Sequence, residues 1–409
     1  MTGLSYILLD WAELLIRWLH VIAGIAWIGS SFYFIHLDLS LKQREHLPEQ
    51  AFGDAWQVHG GGFYHMVKYL VAPKQMPDEL TWFKWEAYAT WLSGMALLAV
   101  VYYLAAELYL IDTHVMALAP WQAVGLSLAG LAAGWIVYDG LCRSSIGDDD
   151  RWLLGLGFVF LVLVAYIFTQ IFSARGAFME IGALIGTMMV ANVAMVIIPG
   201  QRKVVAALLK GETPDPAFGK RGKQRSLHNN YLTLPVVFVM IGNHYPFVYA
   251  TQWSWAILAL VIVIGVVVRH FYNSRHKGLP SPWWTWGVAT ACVVVAIWLS
   301  TLAANFAGRQ ESLKIRPPVT LAEAQNVIAG RCSMCHAAEP GWPGVHRAPK
   351  GLLLETPEQI DKNAHKIAAF AVWSHAMPPG NVTEIEPEER YLLDRWLRTK
   401  GLGLALRTD

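Results

Sequence analysis

Long apolar stretches constrain this chain more than any other feature. Eight segments are long and apolar enough to cross a bilayer as helices, which takes about 20 residues each. Hydrophobic residues make up 55% of the 409 residues and charged residues only 15%, which is too apolar for a soluble protein of this length. The predicted spans run approximately over Trp11–His36, Trp82–Glu107, Ala119–Leu141, Trp152–Phe172, Met179–Ile198, Leu227–Asn243, Trp253–Phe271 and Pro282–Phe306.

The predicted fold class is all-α, a polytopic transmembrane bundle of eight spans with a small C-terminal domain. We expect the bundle to cover residues 1–306 and the C-terminal domain residues 320–409, joined by a short stiff linker at 307–319 that contains Pro317-Pro318. The 19 tryptophans crowd the ends of the spans, as an interfacial belt in contact with membrane lipid would. The net charge of +2 predicts no nucleic-acid partner.

Three helices are expected in the C-terminal domain. Thr320 with Glu323 forms a capping-box pattern, and a second helix start follows at Thr356. A third helix begins at Glu386 and stops before Gly401. About ninety residues bury little core, so a covalently held cofactor is expected to complete the packing.

Loop charge predicts the orientation of the spans. The even loops together offer only Arg175, whereas the odd loops are rich in lysine and arginine. The positive-inside rule therefore places the odd loops in the cytoplasm and both termini outside. The basic residues of the odd loops are Lys42, Arg44, Lys68, Lys74, Arg143, Arg151, Arg202, Lys203, Lys210, Lys220, Arg221, Lys223, Arg225, Arg269, Arg275 and Lys277.

The segment Cys332-Ser333-Met334-Cys335-His336 has the spacing required for covalent attachment of one c-type haem. Both thiols would add to the haem vinyl groups, and His336 would be the proximal iron ligand. Met377, in the loop Met377-Pro378-Pro379-Gly380-Asn381, is expected to supply the second axial ligand, as in a class I cytochrome c. Bacteria attach this haem outside the cytoplasm, which agrees with the loop charges. The predicted location is the bacterial inner membrane, with both termini and the haem domain periplasmic.

Two other interpretations of this segment are a redox dithiol and half of a zinc site. No βαβ pattern surrounds the segment, and the other cysteines, Cys142 and Cys292, lie in distant apolar stretches. The run Gly60-Gly61-Gly62 lacks the lysine of a nucleotide-binding loop and is expected to permit a close backbone approach.

Eight spans joined to a cytochrome c domain resemble the bacterial membrane-bound urate oxidases with a fused cytochrome c, the PuuD type. The resemblance implies oxidation of urate to 5-hydroxyisourate, with oxygen from water and electrons leaving through haem c. A periplasmic cytochrome c or a terminal oxidase of the respiratory chain would then accept the electrons. The segments that carry the resemblance are Trp18–Gly29, Gly60–His65, Ile197–Lys203, His228–Pro235 and Asn243–Pro246.

A urate pocket needs amide or guanidinium partners and an apolar face, because urate is a planar, usually anionic purine. Polar residues inside membrane spans are costly and must be satisfied, either by a ligand or by neighbouring helices. The candidates for binding urate are Asn229, Asn230, Asn192 and Arg175, with Gln170 and Asn243 in addition. The candidates for a catalytic base are His228, His65 and Glu86.

A b-type haem within the bundle is a further expectation. If urate binds towards the cytoplasm, its electrons must cross about 30 Å of hydrocarbon to reach the outer haem, whereas binding at the outer face removes this need. His20 and His244 are the candidate ligands, with His36, His228 and His270 as a second possible layer. Each could instead be a packed histidine that donates to a backbone carbonyl.

Two other functions compete with urate oxidation. One is a quinol-oxidising or terminal-oxidase cytochrome subunit, which is weakened by the absence of any adjacent His-His pair in the sequence. The other is a non-enzymatic, membrane-anchored electron-transfer cytochrome, against which the polar residues in the spans count.

Overall fold

A computed structural model of the chain describes residues 3–69, 76–309 and 318–402. Lys74, one of the loop charges, and linker residues 310–317 lie outside the described residues. The described part is mostly helical. Its first region comprises α1 (Gly3–Ser40), β1 (Ala51–His59), β2 (Gly62–Tyr69), α2 (Trp85–Leu97), α3 (Ala106–Tyr109), α4 (Pro120–Arg143), α5 (Asp150–Thr169), α6 (Ala174–Ala191), α7 (Ile198–Leu209), α8 (Pro216–Gly242), α9 (Pro246–Tyr249), α10 (Ser254–His276) and α11 (Trp284–Arg309).

The C-terminal region is built from short helices. They are α12 (Leu321–Arg331), α13 (Pro357–Lys362), α14 (Ala364–Ile367) and α15 (Pro387–Thr399). Among the described residues, three π-helical segments extend or join helices, at Leu98–Tyr103 after α2, Asn192–Ile197 between α6 and α7, and Ala368–Val372 after α14.

Within the described chain, five helical stretches are long and apolar enough to cross a membrane. The α6 to α7 stretch counts as one of them, and α11 contributes a shorter apolar helix. Every predicted span falls on helical structure, although α8 begins at Pro216, well before the expected Leu227. These helices are compatible with a membrane protein. The five stretches are Ile7–Ser40, Pro120–Arg143, Asp150–Thr169, Ala174–Leu209 and Ser254–His276.

Helix α6 forms the centre of the bundle. Its side chains Ile181, Leu184, Ile185 and Met188 are almost completely buried, and α4, α5 and α8 pack around it. Burial of a large aliphatic side chain stabilises a fold by roughly 1.5–3 kcal/mol in water; in a bilayer the same packing contributes mainly dispersion.

The all-α prediction is wrong in one place, because residues 51–69 form an antiparallel hairpin. Strand β1 pairs with β2, and Gly60 and Gly61 form the turn with φ values of 58° and 80°. A two-residue turn with positive φ at both positions matches the twist of the paired strands, which is why glycines occupy it. The expected close backbone approach is not seen at Gly60 and Gly61, because no described atom lies within 4 Å of a Cβ added at either position; the two glycines form the hairpin turn instead.

Hydrogen bonds hold this hairpin against the end of α1. The buried carboxylate of Asp54 accepts from Arg44 at 2.9 Å and pairs with His65 at 2.7 Å. Tyr33 of α1 donates to Gln57 at 2.6 Å.

A separate hydrophobic cluster organises the C-terminal region. Ile328, Leu393, Trp396 and Leu397 are buried at its centre. Helices start at the three positions expected, and the Thr320–Glu323 capping box is formed with both reciprocal hydrogen bonds. Local capping chemistry thus fixes these helix starts.

Asp54→Asn is predicted to loosen the hairpin in a pH-dependent way. Burial raises the pKa of Asp54, but the hydrogen bonds from His65 and Arg44 outweigh it, so the pKa lies below its ordinary value. A carboxyl with a lowered pKa stabilises the fold at neutral pH and loses this contribution as the pH falls below about 4. Amide hydrogen exchange of residues 51–69 should therefore be faster in the variant at pH 7, and the difference should shrink at pH 3.

Asp78→Asn, at an exposed aspartate, is the control and should leave the exchange unchanged. An equal acceleration by Asp54→Asn at both pH values would contradict the role of the charged carboxylate.

Candidate functional site

A network of buried polar side chains centres on Asn192. Its amide nitrogen donates to the Tyr138 hydroxyl at 3.0 Å and to Asn229 Oδ1 at 2.9 Å, while its carbonyl accepts from Arg225 Nη1 at 3.0 Å. Asn192 is fully buried at the start of the π-helical segment, facing α4 and α8. Three hydrogen bonds satisfy an amide that would otherwise be costly to bury.

The network continues through two ionisable pairs. The Tyr138 hydroxyl lies 2.8 Å from His228 Nδ1, and Arg225 Nη2 donates to Asp139 at 2.7 Å. Asn192, Asn229 and His228, predicted separately, are thus brought together. Tyr138, Asp139 and Arg225 complete the group.

A cavity of about 140 Å³ opens beside Arg225. Four cations line it, and the carboxylate of Asp139 pairs with two of them, Arg225 and Arg143. The Phe218 ring supplies an aromatic surface, with the Lys203 ammonium 5.1 Å from its centre. A half-enclosed cavity with excess positive charge and an aromatic wall suits a small planar anion. Its lining residues are Cys142, Arg143, Met195, Val196, Pro199, Gly200, Lys203, Phe218, Arg221, Gln224 and Arg225.

Arg175 lies at the opposite end of the bundle. Seventeen residues of helix separate it from Asn192, or roughly 25 Å at the usual helical rise. Its Nε donates to Asn243 at 2.9 Å, and its guanidinium stacks on the Tyr109 ring at 4.6 Å. Arg175 and the Asn192 network therefore cannot contact the same small ligand.

The remaining candidates lie elsewhere. Asn230 accepts from Arg269 and Asn273 on α10, in a second polar cluster. His65 stacks on Trp56 and pairs with Asp54 in the hairpin, and Glu86 lies in the first turn of α2. In the contacts of the described residues, none of the three reaches Asn192.

Two histidines were expected to bind haem within the bundle. His20 Nδ1 lies 2.9 Å from the Thr90 carbonyl, which can only accept, so this nitrogen carries the proton and Nε2 keeps its lone pair. His244 lies exposed on the turn after α8, and no described contact joins it to His20. His36 packs against His276 with ring centres 4.3 Å apart and not against His228 or His270.

Some polar residues of the bundle interior were missed from the sequence. Glu180 on α6 is fully buried, and neither carboxyl oxygen has a hydrogen-bond partner within the described structure. An acidic residue in an apolar span is itself a signal. Arg225 was counted only as a loop charge, although it precedes His228 and Asn229 by one helical turn.

The Cys332–His336 segment has features that suit covalent haem attachment. His336 Nδ1 donates to the Leu352 carbonyl at 3.0 Å, which fixes the tautomer and leaves Nε2 to bind iron. Cys332 and Met377 pack against the same hydrophobic cluster, and both cysteines of the motif are free thiols. The indole nitrogen of Trp373, beside that cluster, is buried and has no hydrogen-bond partner among the described residues, so it suits a carboxylate on a bound group. The residues present therefore fit a c-type haem.

The redox-dithiol interpretation of this segment fits less well. Burial raises the pKa of Cys332 to about 12, whereas the attacking thiol of a redox dithiol has a lowered pKa. Across the described ranges, no three His, Cys, Asp or Glu side chains form a metal-binding group.

Asn192→Ala is predicted to destabilise the bundle. The change leaves hydrogen-bonding groups of Tyr138, Asn229 and Arg225 without their partner, at about 1–3 kcal/mol for each unsatisfied group. Thermal unfolding in detergent should show a clearly lower midpoint. Gln170→Ala, at an exposed amide, should leave the midpoint nearly unchanged. Equal stability of the two variants would contradict the structural importance of the network.

A comparison with protein families covers the part of the chain that contains this network. A family model described as Urate oxidase N-terminal matches residues 6–300, which include the Asn192 network and the cavity but not Cys332. No curated protein and no solved structure matches the chain. Because the match covers well over half of its residues, the chain belongs to the Urate oxidase N-terminal family, which supports an oxidoreductase acting on urate.

Proposed function

We propose that this protein is a membrane-bound urate oxidase that passes electrons to a fused cytochrome c. The family match over residues 6–300 carries the proposal. Urate and one water molecule would give 5-hydroxyisourate, two electrons and two protons. The apolar helices and the Cys332–His336 segment support the membrane-bound, cytochrome-linked form over one in which oxygen accepts the electrons directly.

Residues of the C-terminal region would hold the haem. Cys332 and Cys335 would form the two thioether bonds, and His336 Nε2 and the Met377 sulfur would bind the iron. When bound, haem c supplies a one-electron acceptor, so two electrons must leave urate in succession. A periplasmic cytochrome c or a terminal oxidase would receive them.

The cavity beside Arg225 is our proposed urate site. Lys203 and Arg221 would neutralise the urate anion, and Phe218 would lie against the purine plane. Arg225 is held by Asn192 and Asp139, so its remaining N–H groups are oriented before urate arrives.

His228 is the base that the geometry favours. It lies 2.8 Å from the Tyr138 hydroxyl, which in turn contacts Asn192 and, through it, Arg225. Arginine and asparagine side chains do not relay protons, so this network would only position His228 near the cavity, and His228 would take the urate proton directly or through water. His65 and Glu86 lie on other elements, away from this network.

The position of the cavity has a consequence for electron transfer. In the predicted orientation the cavity is cytoplasmic and the cytochrome c domain periplasmic, so about 30 Å of hydrocarbon lies between them. An intermediate carrier is therefore part of the proposal. His20, with Nε2 unprotonated, is the proposed ligand of a b-type haem; its second ligand, for which His244 was the candidate, stays a prediction.

Lys203→Gln and Arg221→Gln are predicted to raise KM for urate by about tenfold or more with little change in kcat. Each removes a charge-assisted contact worth about 1.5–3 kcal/mol. Steady-state kinetics with an artificial electron acceptor gives both constants. Arg202→Gln removes an exposed neighbouring cation that does not line the cavity, and it should behave like the wild type. If Arg175→Gln raised KM while Lys203→Gln and Arg221→Gln did not, the urate site would be at the opposite end.

Covalent haem is predicted to depend on two of the four cysteines. After denaturing electrophoresis, the wild type and Cys142→Ala should give a haem-stained band at about 46 kDa, near the chain mass of 45.6 kDa. Cys332→Ala combined with Cys335→Ala should give none. An unstained wild-type band, from cells that mature other c-type cytochromes, would contradict the proposal.

Reduction of the haem by quinol and not by urate would favour the quinol-oxidising alternative.

A further inference from the structure

The loop that carries Met377 packs against the bundle. Its segment Pro379–Asn381 contacts α3, and Ala376 packs on the hydrophobic core of the bundle. A second contact is the ion pair between Arg347 and Asp10 on α1, at 2.6 Å. The C-terminal region therefore docks at the bundle end that carries Arg175.

Gly380 lies tightly against the backbone of the bundle. Its φ is +57°, and a Cβ at this position would lie 2.4 Å from the carbonyl oxygen of Ile111 and 3.6 Å from that of Glu107. No real Cβ tolerates 2.4 Å to another heavy atom. The neighbour is a backbone oxygen, so no side-chain rotation can relieve the clash.

The bundle side of this contact is firmly held. Leu110 is fully buried, and its carbonyl accepts from the Ser173 amide at 2.9 Å. The Ser173 hydroxyl donates to the Tyr109 carbonyl at 2.7 Å. Residues 109–111 therefore cannot move aside without breaking hydrogen bonds at a buried position.

The loop is also braced on its own side. Arg390 of α15, largely buried, donates to the carbonyls of Ala371 and Met377 at 2.5 Å and 2.9 Å and to Asn381 Oδ1 at 3.3 Å. Because hydrogen bonds hold both the Met377 loop and residues 109–111 in place, the contact between them fixes the position of the C-terminal region relative to the bundle. The loop contacts α3, the helix that ends at Tyr109, and the Tyr109 ring covers the Arg175 guanidinium.

We propose that the Met377 loop is the docking surface through which the C-terminal domain receives electrons from the bundle, and that Gly380 is the positioning residue. This inference rests on the proposed function for the direction of electron flow, but the docking itself does not. While docked, the loop is covered by the bundle, so a soluble electron acceptor must bind the domain on a different face.

Gly380→Ala tests the proposal, with Gly344→Ala and Gly351→Ala as matched controls. All three glycines have positive φ, at +57°, +83° and +64°, so alanine costs each about 1–2 kcal/mol of backbone strain. Only at Gly380 would the new methyl group meet another atom within 4 Å. A difference between Gly380→Ala and the two controls therefore reports loss of docking, because the backbone strain is common to all three variants.

Two measurements on the full-length, haem-loaded protein are needed. Hydrogen exchange reports docking, and amides of residues 106–112 should exchange faster in Gly380→Ala than in either control. Rapid mixing with urate reports electron transfer, and haem reduction should be several-fold slower in Gly380→Ala than in both controls, because electron transfer slows steeply as the separation between donor and acceptor grows. Direct reduction by ascorbate and the absorption spectrum should stay the same.

Unchanged exchange in Gly380→Ala, or undiminished reduction by urate despite faster exchange, would overturn the proposal. A different result is that urate fails to reduce the haem of the wild type while amides 106–112 still exchange faster in Gly380→Ala. That result would support the docking and contradict the proposed function.

Discussion

The satisfaction of buried polar groups is the constraint on which this structure depends. Asn192 is completely buried among apolar helices, and its amide is tolerable only because Tyr138, Asn229 and Arg225 supply matching partners. Those partners come from α4 and α8, so the same hydrogen bonds fix how the two helices pack around α6. The cavity beside Arg225 lies at this junction and takes its shape and charge from it.

Some of the site could be predicted from the sequence, for a clear physical reason. Asn192, Asn229 and His228 stand out because a polar side chain in an apolar span must find a partner. Arg225 was not recognised because hydrophobicity cannot show that α8 begins at Pro216, before the apolar run. The sequence also could not show which polar residues contact one another. Asn230 is adjacent to Asn229 in the chain, yet it accepts from Arg269 and not from Asn192.

The fold shows the same division between local and long-range information. The helix starts at Thr320, Thr356 and Glu386 were predicted because capping depends on neighbouring residues alone. The hairpin at residues 51–69 was missed because it lies in a loop between spans, where only the turn glycines marked it. The close approach of Gly380 to Ile111 joins residues far apart in sequence, and no local pattern encodes such a contact.

The proposed function separates two tasks that a direct reaction with oxygen would combine. Urate would be bound and deprotonated at the basic end of the bundle, while its electrons would leave at the opposite end, under the docked Met377 loop.

The most direct test is to mix oxidised, haem-loaded protein with urate in the complete absence of oxygen and to follow the haem absorbance. Conversion to the ferrous spectrum, with 5-hydroxyisourate formed and no hydrogen peroxide, is the predicted result. Haem that stays ferric, with urate consumed only after oxygen is admitted, would contradict it.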